Sequence, residues 1–111
     1  MTEDDNKDII FATSSYEQKF YFSKDAQVLP ESIKEDIKYL AILLTEKVGG
    51  VFTIGFYKDD GELFLDFAYN HDDVFYDDIG AKLEIKKLYR ENREFFEDLT
   101  NWYRVFVINK K

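Results

Sequence analysis

The sequence predicts an α+β domain. Its antiparallel sheet is built on a central hairpin of residues 51–57 and 62–69, with N-terminal strands and a candidate C-terminal one. Helices of about 30–48 and 84–103 pack on one face of that sheet. Three observations predict this. Apolar residues recur at helical spacing twice, once before the hairpin and once after it. Between them, two runs alternate large apolar with mixed side chains, the period of extended backbone. The alternation is also one-sided, which suits a sheet covered by helices on a single face.

Ile33, Ile37, Leu40, Ala41, Leu44 and Val48 form one face of the first helix. Pro30 is tolerated at its start, and Glu31, Glu35 and Asp36 favour its positive N-terminal end. Gly49-Gly50 supplies a left-handed stop. The hairpin turns around Lys58-Asp59-Asp60-Gly61, a loop that pairs Tyr57 with Glu62. The register follows: Phe56 faces Leu63, Ile54 faces Leu65 and Phe52 faces Phe67. Complete burial of these side chains would contribute roughly 9–18 kcal/mol before entropy, at roughly 1.5–3 each. The other face carries Tyr57, Glu62, Gly55, Phe64, Thr53 and Asp66. Gly55 opposite Phe64 fits an aromatic covering bare backbone, and equally fits close approach by another chain.

The second helix gathers Ile85, Leu88, Tyr89, Phe95, Phe96, Leu99, Trp102 and Tyr103. Ile79 and Leu83 fall off that stripe, which predicts a short separate turn or helix ahead of it. Val105-Phe106-Val107-Ile108 is the candidate last strand. Ile9-Ile10-Phe11 and Lys19-Phe20-Tyr21-Phe22 are candidate N-terminal strands, with a helical reading of 14–22 left open.

At 111 residues the chain is one domain's worth: 1–8 reads as a flexible acidic tail and 9–111 as a single α+β domain. There is no cysteine, which removes thiol nucleophiles, disulfides and thiolate zinc sites. A net charge of −8 argues against nucleic acid or an anionic membrane as partner, because phosphate binding needs clustered cations. The polar N-terminus is unlike a signal peptide, and the aliphatic run Leu40 to Leu44 is far too short to cross a bilayer, so a cytoplasmic location is expected. Neither a phosphate loop, a dinucleotide fingerprint, a nucleophile elbow nor a metalloprotease helix motif occurs. A non-enzymatic protein without a cofactor is therefore expected.

Charge placement is the informative feature. Residues 59 to 78 hold Asp59, Asp60, Glu62, Asp66, Asp72, Asp73, Asp77 and Asp78 and no lysine or arginine. The remaining residues carry 15 acids (23 − 8) against 15 bases, so the whole net charge resides there. Such a field could be a solvated tip and loop. It could also steer a basic protein partner, with Phe64 and the acids as the docking residues. A third option is a divalent-metal site at His71, Asp73 and Asp77, although the spacing matches no known loop. Lys82, Lys86, Lys87, Arg90 and Arg93 follow at once, so the loop is a candidate for internal neutralisation by Lys82, Lys86 and Arg90. Alternatively Lys86, Arg90 and Arg93, on one helical stripe, bind an anion. Arg90–Glu94 and Arg93–Glu97 are spaced as ion pairs along the helix. The aromatic excess, with Tyr21, Tyr57, Phe64 and Tyr69 on or near the sheet, points to a homodimer or a docking face.

Ser15-Tyr16-Glu17-Gln18-Lys19, Leu29-Pro30, Thr45-Glu46-Lys47-Val48-Gly49-Gly50, Tyr76-Asp77-Asp78-Ile79 and Tyr103-Arg104-Val105 span nearly the whole chain. On these blocks the sequence resembles a small family of uncharacterised acidic proteins from anaerobic low-GC bacteria. That family has no assigned activity and so implies no functional residues. The hairpin Val51–Tyr69 with its acidic loop and following helix is also similar, more faintly, to bacterial toxin-immunity proteins. This resemblance implies an acidic inhibitor of a basic protein.

Overall fold

The computed structural model describes residues 6–17, 19–70 and 77–109. Four antiparallel strands, β1 (Lys7–Ser14), β2 (Lys19–Phe22), β3 (Val51–Tyr57) and β4 (Leu63–Ala68), form one sheet in the order β2-β1-β3-β4. Three helices, α1 (Glu31–Val48), α2 (Asp78–Glu91) and α3 (Arg93–Tyr103), complete the α+β architecture. Residues 1–5 of the expected acidic tail lie outside the described residues, whereas Lys7 and Asp8, assigned to that tail, are already part of β1.

The hairpin register is the one the loop length dictates. Phe56 pairs with Leu63, Ile54 with Leu65 and Phe52 with Phe67, and the Tyr57 amide donates to the Glu62 carbonyl at 2.9 Å. Phe52, Ile54 and Phe56 are buried in a core with Phe11, Ile37, Ala41, Leu44, Phe96, Leu99 and Tyr103. Leu63, Leu65 and Phe67 on the same face are only half-buried, so the expected complete burial stops at β3.

Gly49 has φ 70°, a left-handed value that ends α1 where the sequence predicts. The second helical region departs from expectation. α2 starts at Asp78, and Ile79 and Leu83 belong to it, 73% and 61% exposed, rather than to a separate element of their own. The expected single helix of 84–103 is instead broken at Asn92 (φ −127°, ψ 32°). There the side-chain amide donates to the Leu88 carbonyl at 3.0 Å, satisfying a helix-end acceptor and letting the chain restart as α3. The candidate strand Val105–Ile108 is also overturned: Arg104–Ile108 continues α3 as a π-helical turn, with Asn109 N donating to Arg104 O at 3.0 Å. Val107 enters the core from that turn, and burial there outweighs the β propensity of the run. Residues 19–22 form a strand, which closes the helical alternative for that part of 14–22.

Candidate functional site

The acidic segment is divided by the fold. Asp59, Asp60 and Glu62 sit at the β3–β4 tip, Asp66 lies on β4, and Asp77 and Asp78 open α2. Asp72, Asp73 and His71 lie outside the described residues. Two of the described carboxylates are in ion pairs. Glu62 meets Arg104 Nη2 at 3.3 Å, and Asp78 meets Lys82 Nζ at 3.3 Å. The others serve the backbone or stand exposed. Asp60 Oδ1 accepts from Glu62 N (2.9 Å), Asp66 Oδ1 from Phe67 N (2.9 Å), and Asp77 Oδ1 from Gly80 N (2.9 Å) as the N-cap of α2. Asp77 is thus a helix cap, and among the described residues no group of three His, Asp or Glu side chains is arranged to hold a metal ion.

Arg104 is the cation the sequence reasoning missed. It closes the tip from the π-helical turn, its Nε donating to the Asp60 carbonyl at 3.3 Å. From the other end of the chain, Asn6 accepts from Lys58 N through its carbonyl (2.7 Å) and from Asp59 N through Oδ1 (3.2 Å). Its only sequence signal was the Tyr103-Arg104-Val105 block.

Among the described residues, internal neutralisation of the acidic segment by α2 is limited to Lys82. Lys86, Arg90 and Arg93 form no ion pair among the described residues, and Arg93 lies over the Tyr89 ring at 5.9 Å. The expected Arg90–Glu94 and Arg93–Glu97 pairs are absent there too, the first because it spans the break at Asn92. The direction of α2 places these cations elsewhere. α2 runs back along β4, so Glu62, Leu63 and Leu65 share a cleft of about 510 Å³ with Ile85, Lys86, Tyr89, Arg90 and Arg93. Leu65, Asp66 and Phe67 share the next, of about 340 Å³, with Asp78, Ala81, Lys82, Ile85 and Lys86. At about 1.5 Å per helical residue, Arg90 ends up ~18 Å along the helix from Asp78. The groove between β4 and α2 therefore carries a cationic excess at its Leu63 end, while Asp66 and Asp78 are balanced by Lys82 and Lys86 at its Phe67 end.

Among the described residues, no helix lies over the outer face of the sheet. Phe64 covers Gly55, where an added Cβ would collide with the ring and approach the Asp8 carbonyl at 2.7 Å. The bare backbone is therefore occupied by the chain's own aromatic. Tyr57 lies 5.3 Å from the Phe64 ring and Lys7 Nζ 5.4 Å above it. Tyr21 and Tyr69 are about half exposed, at 54% and 48%. In the Tyr16–Lys19 block, Tyr16 and Glu17 lie in the β1–β2 turn, and the Tyr16 hydroxyl accepts from Asn70 N at 3.3 Å. Gln18 lies outside the described residues. No helix among the described residues is long and apolar enough to cross a membrane.

No curated protein and no solved structure matches this chain. A family model does match, over residues 7–111, from the first residue of β1 through every strand, helix and cleft just described. The chain belongs to DUF6145, a family of unknown function.

Proposed function

We propose that the domain is a non-enzymatic protein-interaction module whose acidic rim docks a cationic protein surface, in the manner of an immunity protein or other inhibitor. The observation that carries this reading is that Asp59, Asp60, Asp66 and Asp77 have no ion pair among the described residues, although unpaired cations stand on the neighbouring helix. A rim whose carboxylates are spent on backbone amides keeps its net charge, and that charge accelerates encounter with a basic partner and selects against acidic ones. Phe64 adds an apolar contact on the sheet face beside it.

The test is capture of a partner on the immobilised full chain, followed by salt titration of the purified complex. Affinity is expected to fall at least tenfold between low and high salt, and to fall similarly for the combined Asp59→Asn, Asp60→Asn and Asp66→Asn variant. A complex indifferent to both salt and these substitutions removes the electrostatic reading.

A further inference from the structure

One face of α3 carries a charge inside an apolar run. Phe95, Leu99 and Trp102 are spaced as a single stripe, and Asp98 stands among them, three residues after Phe95 and four before Trp102. Leu99 is buried, Phe95 and Trp102 are half-buried, and Asp98 is exposed. Opposite this stripe, Leu29, Pro30 and Ile33 at the start of α1 form a second wall. Its backbone is already committed: Pro30 has no amide N–H, and its carbonyl accepts from Ile33 N at 3.0 Å and Lys34 N at 3.1 Å. Between the walls lies a cleft of about 210 Å³, and Asp98 is the one charged residue among the described residues that line it.

No base of the chain neutralises that carboxylate among the described residues, where Asp98 has no ion pair. One turn away along the helix stand Glu94, Phe95, Asn101 and Trp102, none of them basic. Arg93, the only base within α3, lies over the Tyr89 ring at 5.9 Å, and Lys34, beside Ile33 in the chain, is paired with Glu31 at 3.4 Å. Size and chemistry then select the occupant. The volume falls below the roughly 300–1,000 Å³ of small-molecule sites and suits one side chain of a partner. Apolar walls with a carboxylate at the edge fit a long cationic side chain, whose methylenes lie along the walls while its head reaches the charge. The Trp102 ring adds the aromatic face that best attracts a cation. We propose that this cleft receives a single lysine or arginine side chain of the cationic partner, with Asp98 and Trp102 holding its charged head. This inference rests on the reading of the domain as a receptor for a cationic protein and adds the side chain that anchors it.

The experiment titrates the full chain with a blocked Gly-Lys-Gly tripeptide and, separately, with its norleucine counterpart, which keeps the methylene stem and lacks the charge. Trp102 is the only tryptophan in the sequence, so its fluorescence and its indole N–H resonance report on this wall alone. The lysine peptide is expected to change both signals saturably, with an affinity about threefold to fivefold above that of the norleucine peptide, the worth of a partly exposed charge pair and cation–π contact. Asp98→Asn replaces an exposed side chain by one of the same shape and is expected to erase the preference while leaving norleucine affinity unchanged. The combined Asp59→Asn, Asp60→Asn and Asp66→Asn variant is expected to bind both peptides like wild type. No saturable change at Trp102, equal affinities for the two peptides, a preference that survives Asp98→Asn, or one lost in the rim variant overturns the inference. A salt-dependent protein complex that Asp98→Asn leaves intact overturns this inference alone. Lysine selectivity at Trp102 in a chain with no salt-dependent partner overturns the rim reading alone.

Discussion

Asp8 lies on the helix-facing side of β1 because Ile10 is an extra residue in the ladder with β3. Phe11 pairs with Ile54, but beyond the irregularity Ile9 pairs with Gly55 and Asp8 with Phe56. An unbroken register would have turned Asp8 to the open face, so the bulge re-aims one carboxylate. That carboxylate accepts the Tyr103 hydroxyl at 2.8 Å, under a ring that is 1% exposed and stacked on Phe56 at 4.4 Å. Burial first, and then the hydrogen bond and charge of Asp8, push the Tyr103 phenol well above its ordinary value of about 10. Because the folded-state value is raised, the neutral phenol's contribution to stability is fully present below about pH 10 and is lost as pH rises beyond it. Tyr103→Phe should therefore cost about 1.5–3 kcal/mol near neutral pH, the worth of a hydrogen bond to a charged acceptor. The variant should also lose less stability than wild type on going to strongly alkaline pH. Urea denaturation at the two pH values checks both.

At the scale of elements, what could be read from the sequence was whatever local periodicity and loop length determine alone. The register of β3 and β4 followed from four turn residues, because a slip by one would have moved Phe52, Ile54 and Phe56 out of the core. α1 followed from its stripe and its glycine stop. The misses share a cause: each depended on where an element lies relative to others. The Asn92 break and the helical fate of Val105–Ile108 are set by packing on the sheet and tip, and nothing local marks Ile10 as the bulge. The candidate site was legible as a list of acids but not as a surface, since only the return of α2 along β4 sets Lys86, Arg90 and Arg93 beside Leu63 and Leu65. Asp77 is the site residue whose role is clearest at this scale. Removing its cap by Asp77→Ala should destabilise the protein by about 1 kcal/mol, read by thermal or urea unfolding. The same variant should leave divalent-metal-induced shifts in melting temperature unchanged.

For the molecule as a whole, the cover over the sheet is graded. Among the described residues it is complete above β1 and β3, partial above β4, and absent from the outer face, where Ile9 and Tyr21 are 41% and 54% exposed. A chain with so many aromatics can leave several at the surface and still fill its core, so the outer face alone does not identify a partner. The β3–β4 tip plays a different part. It is gripped from one direction by Asn6 and from the other by Arg104, and Ile108 also packs against Gly61. The opening strand and the closing helix thus share one pole of the fold, joined again by Asp8 and Tyr103. Backbone cyclisation of residues 6–109 through a short flexible peptide should consequently be accommodated without distortion. By denying the unfolded chain much of its freedom, the circular form should melt at a higher temperature than the linear one.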